Sequence, residues 1–302
     1  MANELKMKQK NHTLSRFQSI VLSLLIYIIA GITAVLIARL FTGHHPLVMI
    51  GAGDLAATVV VFLFSVILNN SSAYDPYWSV KPIVIAAAYV FIFHLDDLTI
   101  RQLLVLAGIF LYALRLTSNF YRDWPGFHHE DWRYVNFRKS SGKAYWLVSF
   151  LAIHLFPTIM VYLGCLAMFA VFSGEGRALN IWDIPAALIL FGSVVYVFVA
   201  DEQLRNFRKD SSNKGKTIMS GLWRLSRHPN YLGEISTWWG LALFAIAAGC
   251  HFWWTLAGPV AITLMFIFAS IPMIEKRNLQ RREGYTEYRK NTPMLLPLKF
   301  FR

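Results

Sequence analysis

Four long apolar runs constrain this chain more than any other feature: Ile20–Ala38, Thr58–Leu68, Tyr145–Phe172 and Ile184–Ala200. With their flanks, each approaches or exceeds the roughly 17–25 residues that a helix needs to cross a bilayer. The composition agrees. Of 302 residues, 56% are hydrophobic and 15% charged, against about 45–50% and about 25% in an average soluble domain. A soluble enzyme, a disulfide-rich secreted module and a disordered protein are all excluded. The expectation is an all-α, polytopic transmembrane helical bundle.

Eight spans fit the pattern, at about 17–40, 52–69, 80–95, 98–118, 145–172, 181–200, 231–249 and 252–274. Leu95, Asp96 and Asp97 alone separate the third from the fourth, as a tight hairpin or a partly re-entrant segment. The basic start, with Lys6, Lys8, Lys10 and Arg16, resembles the charged region of a signal peptide. The apolar run behind it is too long for a signal core and lacks a clean cleavage site, so it reads as a retained first helix. Of the 29 Lys and Arg, 25 fall on one side, leaving Arg39, Arg101 and Arg177 opposite and Arg115 inside span four. Both termini are therefore expected in the cytoplasm. The net charge of +12 reflects this topology and contact with anionic lipid headgroups. No basic soluble module is present to carry nucleic acid. Cys165 and Cys250 lie in or beside apolar segments and read as inert buried thiols.

Two letter patterns carry no chemistry. Gly51–Ala56 matches a dinucleotide loop by letter, but such a loop works only between a strand and a helix. Here Asp54 is expected to cap a membrane helix. The nine histidines include the pairs His44–His45 and His128–His129, which fall on opposite sides, while His94, His154 and His251 are isolated. That spacing suits no metal site.

The cytoplasmic segments near the C-terminus mix acids, Asn, Tyr and Trp with their basic residues, which a topological signal does not require. Asp201, Arg205 and Arg208 follow span six at i, i+4 and i+7, so one helical face presents them. Such a face can pair with itself or grip phosphate with Arg while Asp takes a hydroxyl or amide. The strongest signal is GLWRLSRHPNYLGEISTWWG, Gly221–Gly240. Pro229 suits a first helical turn, placing Asn230, Glu234 and Trp238 on one face. Glu234 enters an otherwise uncharged span, where a carboxylate is a functional hypothesis by default. Arg224, Arg227 and His228 precede it, where a helix N-terminus can meet phosphates. The tail from Glu275 reads as a helix leaving the membrane, a Gly break and a short second helix folding back over the polar site.

These segments, with ADEQLRNFR and the tail REGYTEYRKNTPMLLP, resemble the membrane-embedded steroid 5α-reductase-like superfamily, in its bacterial, DUF1295-like branch of integral membrane proteins. The resemblance covers roughly residues 52–302 and includes DPYWS at Asp75–Ser79 and ALRLTSNFYRDW at Ala113–Trp124. It implies a seven-helix core to which span one is an addition, with residues 1–45 preceding a reductase-like domain at 46–302. The cofactor half would begin at about residue 195. It further implies NADPH in a polar cavity open to the cytoplasm and a lipid-like or steroid-like substrate entering from the bilayer. Carried over by motif, the cofactor residues are Asn119, Arg122, Asp201, Arg205, Arg208, Arg224, Arg227, His228, Asn230, Tyr231, Glu234, Trp238, Tyr285 and Arg289. The family's substrate-polarising Glu has no counterpart, because no glutamate lies between Glu4 and Glu130. Asp75 and Tyr112 stand in as the catalytic pair. A monomer in a bacterial inner membrane is expected.

The reaction implied is reduction of a C=C bond conjugated to a carbonyl, with the developing enolate oxygen held by a donor such as Tyr112. One rival reading is an S-adenosylmethionine-dependent methyltransferase of the isoprenylcysteine carboxyl type, which shares the RHPxYxG run. Asn230, Glu234 and the Asp201/Arg208 face favour a phosphate-bearing dinucleotide. The other rival, a transporter or lipid-binding protein, would line a through-path with charge; here the polar groups cluster at one face.

Overall fold

The computed structural model describes residues 14–93, 97–174 and 178–297. Lys6, Lys8 and Lys10, His94, Leu95 and Asp96 of the expected hairpin, and Arg177 lie outside the described residues, as does the side chain of Cys250. The fold is all-helical. Helix α1 is Arg16–Leu40, α2 Pro46–Ile67, α3 Tyr77–Ile92, α4 Ile100–Asp123 and α5 Trp132–Ser141. A short turn at Tyr145–Val148 and a π-helical segment, Ser149–Leu155, lead into α6, Phe156–Ser173. There follow α7 Asp183–Lys209, α8 Pro229–Ala248, α9 Ala257–Met265, α10 Ile271–Arg281 and α11 Tyr285–Asn291. Among the described residues, six segments are long and apolar enough to cross a membrane. This is an integral, multi-pass membrane protein, and an arrangement of about eight spans accommodates α3 and α8 as well.

Local chemistry sets the ends. Ser15 and Gln18 form a reciprocal capping box before α1. Pro46 opens α2, with the His45 side chain accepting from the Leu47 N–H. That start corrects the expectation for Asp54: it is not a cap but lies more than two turns inside α2, buried and paired with Lys81 at 2.8 Å. Lys81, one of the 25 same-side cations in the charge count, is likewise a buried helix residue.

The helices pack as two units, residues 1–88 with 116–162, and 89–115 with 163–302. In the first, α1 packs on α2 around Ile26, Ala30, Ala57 and Val61, with Tyr74 and Tyr77. Gly53 permits the approach, since a Cβ there would lie 2.7 Å from the Ala34 carbonyl oxygen. In the second, α7 and α8 form the most extensive helix pair. Gly240 lets them meet; a Cβ there would sit 2.8 Å from the Leu190 backbone nitrogen. Arg101, placed in a loop by the charge count, is buried and bidentate on Asp183, both bonds 2.7 Å.

Candidate functional site

The second unit contains a cavity of about 760 Å³ walled by the C-terminal end of α7, the start of α8 and the tail helices α10 and α11. Asp201, Leu204 and Arg208 line it from α7, at i, i+3 and i+7. Arg205 turns aside and pairs with Glu202 at 3.3 Å. Pro229 fixes the first turn of α8, which brings Arg227, His228, Asn230 and Tyr231 to the wall with the positive end of the helix. The lining carries six Lys and Arg against two Asp, Asp201 and Asp210. A cavity with that balance selects an anionic ligand. Its size lies within the roughly 300–1,000 Å³ of small-molecule sites.

Asp201 also faces inward, toward a buried charge cluster. Arg115 of α4 stands 3.7 Å from Asp201 and 2.5 Å from Glu234 of α8. Its guanidinium lies over the Tyr112 ring, at 5.5 Å, and Tyr112 packs edge-on against Trp238 at 5.8 Å. Three atoms of this cluster are buried without a hydrogen bond of ordinary geometry among the described residues: Tyr112 Oη, Arg115 Nε and Glu234 Oε2. Tyr285 Oη, on the cavity wall, is in the same state. A buried polar atom left unbonded costs about 1–3 kcal/mol; Tyr112 has Glu234 beside it and Tyr285 has Asn278, so small side-chain movements pair these atoms with one another or present them to a polar ligand.

The tail folds back over the site. Gly284 takes φ +70° between α10 and α11, the left-handed backbone that the sequence break anticipates. Glu275 of α10 gathers Arg227 at 2.7 Å, His228 at 3.1 Å and Arg289 at 3.0 Å. Arg227 also donates to the carbonyls of Arg289 and Thr292, and Tyr288 Oη donates to the Trp223 carbonyl. Burial lowers the His228 pKa against the pull of Glu275. Its Nε2 lies 3.1 Å from Glu275 Oε1, and the ring stacks on Tyr231.

Of the residues expected to hold a cofactor, Asp201, Arg208, Arg227, His228, Asn230, Tyr231 and Tyr285 line the cavity. Glu234 and Trp238 belong to the buried cluster behind Asp201. Arg224 is exposed, and Arg289 serves the Glu275 clamp. Asn119 and Arg122 fall in the first unit, at the end of α4, where Arg16 donates to the carbonyls of Tyr121 and Arg122. Sequence reasoning passed over Lys214, Arg277, Arg281 and Arg282 on the cavity wall. The spacing of Arg277 and Arg281 at i, i+4 was available, but a basic tail gives the same letters. It also assigned no role to Arg115 or Glu275, whose partners lie far along the chain.

Tyr112 lies in the second unit and Asp75 in the first. Tyr134 Oη donates to Asp75, and Arg133 stands 3.6 Å away. Burial pushes the Asp75 carboxyl up from 3.8 to about 6, against the opposing charge of Arg133. A carboxyl raised in the folded state adds stability that is complete below pH 3.8 and lost as pH rises through about 6. The raised pKa corresponds to about 3 kcal/mol. Thermal denaturation in detergent is expected to show a falling Tm between pH 4 and 6.5 that Asp75→Asn flattens; an unchanged slope in that variant would assign it elsewhere.

The family model described as "Protein of unknown function (DUF1295)" matches residues 61–292. An uncharacterized protein of Schizosaccharomyces pombe is 28% identical over 262 residues, covering 79% of this chain and 76% of the yeast protein. No solved structure matches. The family match runs from within α2 to just past α11 and contains every residue that lines the cavity. With that match over most of its length, the chain belongs to the DUF1295 family, which is associated with steroid 5α-reductase-like proteins.

Proposed function

We propose that this protein is a membrane-embedded, NADPH-dependent reductase of a C=C bond conjugated to a carbonyl in a lipid-like or steroid-like substrate. A membrane enzyme fits both the family and the bundle. The observation that carries the finer reading is the continuity of the basic cavity, through Asp201, with the buried Arg115–Glu234–Tyr112 cluster. The residues present suit the cofactor. Arg208 and Arg227, with the N-terminus of α8, offer donors for phosphate oxygens. Glu234 Oε2 and Asp201 offer acceptors to hydroxyl or amide groups. When bound, NADPH supplies the hydride.

The chain's own part is to bind, orient and exclude water. Tyr112 is fully buried, and Arg115 over its ring favours negative charge on an oxygen that accepts from its hydroxyl. Trp238 fixes the phenol ring from the side. Glu234 balances Arg115, so the cluster stays neutral enough to sit inside a bilayer.

Thermal shifts of detergent-purified protein with NADPH, NADH and S-adenosylmethionine test the reading. A ligand at 100 times its Kd adds about 2.7 kcal/mol to the folded state. Stabilisation by NADPH is expected, lost in Arg208→Ala and in Glu234→Gln, each of which still folds. Retained binding in both variants would remove the cofactor assignment. Stabilisation by S-adenosylmethionine instead would make the cavity a methyl-donor site.

A further inference from the structure

A second polar network lies wholly within the first unit, and nothing in the reductase reading uses it. Glu130, whose side chain is 13% exposed, is bonded by Arg138 at 3.2 Å and by the Ser71 N–H at 2.9 Å. The Tyr145 hydroxyl reaches Glu130 Oε1 at 3.1 Å and Ser71 Oγ at 2.6 Å. Ser71 Oγ continues to Ser149 Oγ at 2.8 Å, and Ser149 Oγ to His154 Nδ1 at 3.5 Å. His154 is fully buried, and Ser71 and Ser149 are as well. The π-helical segment Ser149–Leu155 makes the last step possible, because its i→i+5 pattern brings residues 149 and 154 together.

Hydrogen-bond bookkeeping at His154 shows what the site can hold. Nδ1 lies 2.9 Å from the Ser149 carbonyl, which can only accept. Nε2 lies 3.0 Å from Ser65 Oγ, whose single proton has a second acceptor, the Val61 carbonyl at 3.0 Å. With Ser65 donating to Nε2, the ring is neutral. With Ser65 donating to Val61, Nε2 donates to Ser65 and the ring carries two protons. The pocket accommodates both states by one hydroxyl rotation. The groups around the ring are Tyr74 and Phe62, at centroid distances of 5.0 and 5.3 Å. One turn on, the Thr158 carbonyl accepts from Lys81 at 3.3 Å, and Lys81 is paired with Asp54. No carboxylate bonds the imidazole among the described residues. At the other end Arg138 lies over the Tyr145 ring at 3.9 Å and holds Glu130.

We propose that Tyr145, Ser71 and Ser149 form a proton relay between the carboxylate of Glu130 and the imidazole of His154, giving the interior of this unit a route to protons from outside the bundle. A purely structural network need not begin at a carboxylate, end at an imidazole and use only hydroxyls between them. From the imidazolium, Nδ1–H breaks as Ser149 Oγ gains that proton. The Ser149 proton passes to Ser71, that of Ser71 to Tyr145, and that of Tyr145 to Glu130. The end state is a neutral His154 protonated at Nε2, whose Nδ1 accepts from the Ser149 hydroxyl in place of donating to the Ser149 carbonyl, with a protonated Glu130 and three hydroxyls all reversed. The Ser149–His154 step is the longest and the slow one; it closes as the ring turns from the Ser149 carbonyl toward its hydroxyl. This proposal is independent of the cofactor reading.

Exchange of the His154 ring N–H with water tests it, measured by NMR on full-length protein in detergent with 15N-histidine, the signal being the one lost in His154→Gln. Tyr145→Phe is expected to slow that exchange at least tenfold in a protein that still folds, while Ser79→Ala, a buried hydroxyl of the same unit bonded to Thr117 and outside the relay, leaves it as it is. Equal exchange in wild type and Tyr145→Phe would overturn the relay, as would equal slowing in Ser79→Ala. Should Tyr145→Phe not fold, Ser71→Ala breaks the next link and gives the same reading.

Discussion

Arg115→Ala is expected to destabilise the protein by about 3–5 kcal/mol, the cost of removing one member of a buried ion pair. The Arg115 and Glu234 side chains are 6% and 8% exposed and bonded at 2.5 Å, with Asp201 at 3.7 Å on the other side. Without the guanidinium, two carboxylates share a poorly hydrated space. The cost arises mainly from the charges left behind, so neutralising Glu234 at the same time should return much of it. Denaturation in detergent of Arg115→Ala, Glu234→Gln and the double variant closes the cycle. A double variant as unstable as the sum of the singles would mean that the two side chains, 119 positions apart in sequence, do not interact.

Glu275→Ala should act differently, by releasing the tail while leaving the bundle folded. Its carboxylate is the common partner of Arg227, His228 and Arg289, which join the start of α8 to α10 and α11. Each charged hydrogen bond contributes about 1.5–3 kcal/mol, and α11 has seven residues, too few to hold its shape alone. We expect trypsin to cut near Arg281 and Arg282 at least tenfold faster in this variant, with any cofactor affinity falling in parallel. Glu283→Ala is the control, since the contacts at that position use the backbone: its N–H donates to the Gly215 carbonyl and its own carbonyl accepts from Thr217. Similar cleavage in both variants would mean that Glu275 does not hold the tail.

Much of the site's address was readable without coordinates. Pro229 and Gly284 act on their own backbone, so the start of α8 and the break before α11 followed from single residues. The Asp201/Arg208 face followed from helical spacing, because residues three, four and seven apart share a side wherever a helix forms. Arg205 shows the limit of that reasoning. It lies near the same face, yet pairs with Glu202, since the sector of a helix that meets a cavity depends on how its neighbours pack. The π-helical segments at Ser149–Leu155 and Phe266–Ser270 were invisible for a related reason. One extra residue in a helical turn leaves no mark on an unbroken apolar run.

The sequence by itself determined that this chain is a bundle of membrane helices with its polar chemistry toward the C-terminus. That conclusion rests on transfer free energies and backbone preferences, which accumulate residue by residue along the chain. Tertiary structure alone decided which charges meet: Asp54 with Lys81, Arg101 with Asp183, Arg115 with Glu234, Glu275 with Arg227. Each partner lies dozens of residues away, and nothing local selects it. The choice follows from helix register, set where Gly53 and Gly240 let neighbouring backbones close to contact, and from the rule that a charge taken out of water persists only beside its opposite.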